Sequence, residues 1–245
     1  MNLQILGTGS RGNCYILENE SEALIIELGL SFSKVKQALN FDLSKVVGAV
    51  ISHEHGDHAK ALKDALKNGI ECYSSQGTFD SLKIQHHNAN IIQSKKAFQV
   101  GNFKILPFDI HHDVAEPLGF LIEHKDCGKV LFVTDSTYID YTFKGLNQII
   151  IEANYCEDII NEKLGGTWQG EFLKNRILKS HMSLNTCKET LLANDLTQVN
   201  NIVLIHLSDS NSDERKFKKV IENATGKFVH VADNNRTINF SLNPF

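Results

Sequence analysis

The chain has 245 residues and a formal net charge of −4. Its hydrophobic content of 42% and charged content of 22% fit a globular protein with a full core and exclude a disordered or fibrous chain. The charge argues against broad, non-specific attraction to nucleic acid, although bound metal ions would add positive charge that a residue count misses.

No apolar run is long enough to span a bilayer. The opening Met1-Asn2-Leu3-Gln4-Ile5-Leu6 lacks the basic and apolar regions of a signal peptide. The five cysteines, Cys14, Cys72, Cys127, Cys156 and Cys187, are scattered and lack CxxC spacing, so reduced thiols in a cytoplasm are expected. The length predicts one large domain over 1–245.

In chain order, strands are expected at Leu3–Leu6, Cys14–Glu18 and Ala23–Leu28, the first two separated by a glycine-bearing turn. A short helix follows, with Ser31 or Ser33 as N-cap and Val35, Ala38 and Leu39 on its apolar face. The run 46–51 reads as a buried strand. The next helix carries Ala61, Leu62, Ala65 and Leu66 and stops near Asn68-Gly69. A short strand at Ile70–Ser74 and a helix over 76–86 come next. Strands are expected at Phe103–Phe108, Gly119–His124, Lys129–Thr134 and Gln148–Glu152. Helices are expected at 155–163, 168–179 and 184–194, then a strand at Ile202–His206, a helix over 213–222, and strands near 228–232 and 237–241. This order predicts an α/β protein whose sheets are covered by helices.

The chemistry concentrates in His53-Glu54-His55-Gly56-Asp57-His58, directly after the strand 46–51. On extended chain His53 and His55 point the same way and can converge on one metal ion. Asp57 and His58 follow as the chain turns and can face a second. Imidazole and carboxylate suit zinc, and leave manganese and iron open. The bland alternative is a solvated polar loop. Further ligand types end other strands. His111 and His112 follow Phe103–Phe108, and spacing does not choose between them. Asp135 ends a buried run, where its carboxylate has lone pairs for two metals or caps a turn with Ser136. His206 ends the late apolar run Val203-Leu204-Ile205.

The pattern HxHxDH, a later His, a strand-end Asp and a final strand-end His resembles the metallo-β-lactamase superfamily over nearly the whole chain. The resemblance implies a four-layer αββα sandwich. It assigns His53, His55 and His112 to one divalent ion and Asp57, His58 and His206 to another, with Asp135 between them. A narrower likeness is to the YycJ/WalJ-like branch. It rests on Leu6-Gly7-Thr8-Gly9-Ser10-Arg11-Gly12-Asn13 against SGSxGN, on His112-Asp113-Val114-Ala115-Glu116-Pro117-Leu118-Gly119 against HDAxEPxG, and on Glu152-Ala153-Asn154 against E(S/A)N. Ser180-His181-Met182-Ser183 resembles GHLSN with substitutions, and His206-Leu207-Ser208 with Asn211 resembles HLSxxxN with one intervening residue fewer. The branch implies a metal-dependent phosphodiesterase, foremost a 5′-to-3′ DNA exonuclease using zinc or manganese, with iron open.

Within that reading Asp57 ligates metal and orients water, and His181 is the candidate general acid or phosphate donor. The plainer role for His181 is a surface residue capping 184–194. Ser10, Asn13, Asn154 and Ser208 are candidate phosphate contacts, and Asn13 has a second possible role in supporting the metal shell. Lys174, Arg176 and Lys179 lie beside Trp168 and Phe172. Arg176 is the candidate phosphate contact there, and the aromatics are expected in a core face. The run Arg215, Lys216, Lys218 and Lys219 reads as a solvated helix face. Alternatives are RNA processing, hydrolysis of a small cyclic phosphodiester, and thioester, lactone or β-lactam hydrolysis. A closed structural zinc site is disfavoured, because such sites are usually cysteine-rich and this ligand set has none.

Overall fold

The computed structural model describes residues 1–164 and 175–243. Alternation along the strands decides the layering. Leu3 and Ile5 of β1 (Asn2–Gly7), Tyr15 and Leu17 of β2 (Cys14–Glu18), and Leu24 and Ile26 of β3 (Ala23–Ile26) face one way into a shared core. Their neighbours Cys14, Ile16 and Ile25 face the other way, under helices. Period-two alternation with both faces apolar requires a sheet covered on both sides.

That first sheet continues through β4 (Val46–Val50), β5 (Cys72–Ser74) and β6 (Ala89–Ile91), and β14 (Arg236–Asn239) pairs with the free edge of β1. Its outer face is covered by α1 (Phe32–Ala38), α2 (Gly56–Ala59), α3 (Leu62–Lys67) and α4 (Gln76–Ser81) through Val35, Leu62, Leu66 and Phe79.

The second sheet runs β7 (Phe98–Val100), β8 (Phe103–Asp109), β9 (Leu118–His124), β10 (Gly128–Val133), β11 (Leu146–Glu152), β12 (Asn201–Ile205) and β13 (Val229–Val231) in spatial order. Phe103, Phe120 and Phe132 meet the first sheet, with Phe132 set edge-on to Tyr15 at 5.7 Å between ring centroids. Burying one such ring contributes about 1.5–3 kcal/mol. The outer face packs Val133, Ile151 and Leu204 against α7 (Leu184–Leu192) and α8 (Glu214–Thr225). The remaining helices are α5 (Glu157–Leu164) and α6 (175–180). The result is the four-layer αββα sandwich expected.

Boundaries depart from the sequence reading for local reasons. β3 stops at Ile26 because Glu27 takes φ 66°. The helix expected over 76–86 stops at Ser81, and Lys83 at φ 52° breaks the chain away. The cap of α1 is Ser31, whereas Ser33 lies inside the helix. The three-residue edge strands β6 and β7 were not expected; each is too short for alternation to register. Of the segment 168–179, Trp168, Phe172 and Lys174 lie outside the described residues. All five cysteines are buried and unpaired. Among the described residues no helix is long and apolar enough to cross a membrane.

Candidate metal centre

β3 and β4 are parallel, as are β10, β11 and β12, so the chain leaves each of these strands at the same edge of its sheet. The ligand-type residues sit where those strands end. β4 leads to His53–His58, β8 to His112, β10 to Asp135, β11 to Glu152 and β12 to His206. Asp135 and His206 take φ of 47° and 54°, a left-handed turn that non-glycine residues adopt rarely. Here it turns both side chains inward. Gly29 lets two loops meet: a Cβ on it would lie 1.7 Å from the Asp57 carbonyl oxygen and 2.6 Å from the Asn13 nitrogen.

Three imidazoles converge. His53 Nε2 lies 3.1 Å from His55 Nδ1, and His112 Nε2 lies 3.2 Å from the same atom. Asp135 Oδ2 is 3.8 Å from His53 Nε2 and 3.9 Å from His112 Nε2. The same oxygen is 3.4 Å from His58 Nε2, which itself is 3.4 Å from Asp57 Oδ2. His206 Nε2 is 3.7 Å from Asp57 Oδ2, while its Nδ1 bonds Asp135 Oδ1. Three donor groups therefore overlap: one of His53, His55, His112 and Asp135, one of Asp57, His58, Asp135 and His206, and one of Asp135, Glu152, His181 and His206. Asp135 belongs to all three. His112, not His111, faces the cluster. His111 instead bonds Asp140 at 2.7 Å and stacks on Tyr138.

The donors fit divalent cations. Imidazole nitrogens 3.1–3.2 Å apart share one focus, as ligands of one ion do. The charge balance agrees. Burial opposes ionisation of Asp135, yet His206 and His58 hold its carboxyl well below the usual range. Burial opposes protonation of His206, yet Asp135 and Glu152 push it up to about 10. His58 is raised the same way, chiefly by Asp135 against burial. Buried carboxylates thus draw positive charge into this space, and metal ions supply it without protonating the histidines.

Further groups orient these side chains, as outer partners of metal-binding histidines do. Ser52 Oγ lies 2.8 Å from His53 Nδ1. Glu27, wholly buried, has Oε2 3.5 Å from His58 Nδ1, and neither atom has another partner. Burial raises the Glu27 carboxyl, with His58 and Ser52 opposing. Glu152, also wholly buried, accepts from the Met182 N–H at 3.0 Å and the Ser136 N–H at 3.2 Å. Its other oxygen lies 2.8 Å from His181 Nδ1 and 3.2 Å from His206 Nδ1. Burial opposes protonation of His181, and Glu152 outweighs it, so the imidazole is raised. Sequence reasoning missed Glu27 and the role of Glu152 behind two histidines. The one available signal was a carboxylate ending an apolar strand, the same signal that pointed to Asp135.

A cavity of ≈ 460 Å³ opens over the cluster, with Ser10, Asn154, Arg176, His181 and Ser208 in its walls. Asn154 also donates to the His206 carbonyl at 2.8 Å. Asn13 is placed otherwise. It is wholly buried beneath the glycine loop, accepts from the Gly9 N–H at 2.9 Å and lies 3.1 Å from His58 Nε2. It supports the loop and the cluster rather than lining the cavity, because Gly9 and Gly12, at φ 85° and 134°, fold the loop over it. His181 does not cap α7; the Ser183 side chain does, accepting from Thr186 N–H.

Residues 29–207 match the family model of the beta-lactamase superfamily domain. Over 235 residues the chain is 29% identical to exodeoxyribonuclease YycJ of Bacillus anthracis, covering 87% of this chain and 85% of that protein. Over 225 residues it is 28% identical to exodeoxyribonuclease WalJ of Streptococcus pneumoniae serotype 2 (strain D39 / NCTC 7466), covering 85% of this chain and 82% of that protein. The solved metallo-β-lactamase fold protein YhfI of Bacillus subtilis aligns with a TM-score of 0.74 at 15% identity, over 97% of this chain and 98% of that one, a likeness of fold. The chain belongs to the metallo-β-lactamase superfamily, and within it to the YycJ/WalJ-like branch. It is a metal-dependent hydrolase.

Proposed function

We propose that this hydrolase is a nuclease that shortens DNA from 5′ ends, working with two divalent ions, zinc or manganese. The observation that carries the reading is the cavity wall facing the ligand cluster. Among the described residues it holds the Arg176 guanidinium, the His181 imidazole and the polar groups of Ser10, Asn154 and Ser208, with the carboxylates of Asp113 and Asp209 at its edge and Ile177 and Leu207 as its apolar members. That lining suits a charged phosphodiester better than the apolar body of a thioester or lactam. The names of the YycJ and WalJ relatives favour DNA.

His53, His55 and His112 would hold one ion, Asp57, His58 and His206 the other, and Asp135 both. Bound there, divalent ions acidify water and neutralise phosphate charge. Asp57 accepts a hydrogen bond from the attacking water and orients it. His181 gives its Nδ1–H to Glu152, so in the imidazolium form its Nε2–H is left for the departing 3′ oxygen. Arg176 and the amide and hydroxyl groups of the wall hold the phosphate oxygens.

End-labelled duplex DNA, incubated with manganese or zinc beside an Asp57→Ala control, tests this. Ordered release of nucleotides from the 5′ end by the wild type alone is expected. Intact DNA with a fully metallated protein overturns it, and turnover of RNA or of a cyclic phosphodiester in the same series identifies the substrate instead.

A further inference from the structure

A second cavity of ≈ 820 Å³ adjoins the metal cavity. The two share Ser10, Leu207 and Asp209 as a common wall, so they form one trough running from Arg176 past the metal ligands and beyond the glycine loop. Across the shared wall lies an ion pair, Arg11 Nη2 to Asp209 Oδ2 at 2.8 Å. Its side chains are 88% and 77% exposed. Such a pair is held weakly in water and is easily exchanged. Beyond it the lining combines Lys34, Gln37, Asn234 and Asn235 with the acidic Glu214 and Asp233. These walls carry one lysine against two carboxylates, and their three amides suit the uncharged base and sugar of a nucleotide, whose donors and acceptors they can meet. Arg11, at the wall, is the guanidinium placed for a phosphate.

We infer that the second cavity receives the nucleotide next to the scissile phosphate, and that Arg11 leaves Asp209 to bind the neighbouring phosphate when the strand lies in the trough. The inference rests on the nuclease reading. Asp209 is then a competitor for Arg11 that holds the guanidinium at the wall until a strand arrives. Neither residue is a member of the donor groups. Both are exposed, so substitution leaves the fold intact.

The test uses the metal-loaded protein and single-stranded, phosphorothioate-linked oligonucleotides of two to eight nucleotides, with Kd measured against salt. Arg11→Ala is expected to weaken binding of the longer oligonucleotides several-fold. It should also make the slope of log K against log salt shallower by about 0.7, the loss of one single-strand phosphate contact. Binding of the dinucleotide should stay unchanged, Arg11→Lys should restore the slope, and Asp209→Ala should tighten binding of the longer strands. An unchanged slope and Kd in Arg11→Ala, or an equal loss for the dinucleotide, overturns the inference while leaving the nuclease reading standing. Failure of the wild type to bind any oligonucleotide overturns both.

Discussion

Glu27 and Glu152 are wholly buried, and each stands behind a histidine of the site. The strand-end residues His53, Asp135 and His206, which the fold brings into one cluster, were legible in sequence as candidate ligands because an apolar run closing on a ligand type is a local signal. A supporting carboxylate is not local, since Glu152 meets His181 across 29 positions and Glu27 meets His58 only through the fold. Asn13 shows the opposite difficulty: a polar residue in a glycine loop reads as exposed, and only the folded loop reveals it as buried. His181 is the residue on which the proposed proton transfer turns. His181→Ala is expected to retain metal, measured by elemental analysis, while turnover falls about a hundredfold or more, in the range of a lost general acid. Loss of metal together with activity would instead make His181 a ligand.

The elements place these side chains by meeting at their ends. α2 begins directly at Gly56, so Asp57 and His58 leave extended backbone within one turn of His53 and His55. The loop between β1 and β2 packs against this turn through the Asn13 N–H to the Asp57 carbonyl at 2.7 Å, and the loop after β3 joins it through the Gly29 N–H to the Asn13 carbonyl at 2.9 Å. Gly29 is where three backbone segments touch, and no side chain fits there. Gly29→Ala is therefore expected to displace the Asp57 turn, lowering metal occupancy and activity together, with a loss of stability seen as a lower Tm. An alanine variant with native occupancy would show that the turn is not held there. The apolar periodicity of the long strands predicted their place well. It said little about β6 and β7, whose positions are set by pairing with β5 and β8 rather than by their own sequence.

On the scale of the whole molecule, two sheets share one core and expose one common edge, and the candidate ligands gather on that edge. Titration elsewhere affects the fold independently of the centre. His230, on β13, is pushed down to about 4 by burial and then by Arg236 and Lys218. The unfolded chain takes up this proton near the ordinary value of about 6.5. The folded state refuses it, so stability present above that value is lost as pH falls from about 6.5 towards 4. After allowance for solvent screening the effect is roughly 1 kcal/mol. His230→Gln is expected to flatten the fall of the urea midpoint over that window relative to the wild type, and parallel curves would contradict it.

The central claim is that seven side chains from the ends of β4, β8, β10 and β12 hold two ions. Anomalous diffraction from crystals grown with manganese or zinc tests it most directly. The account predicts two peaks, one among His53, His55 and His112 and one among Asp57, His58 and His206, with Asp135 between them. A single peak, or none among these residues, would contradict it.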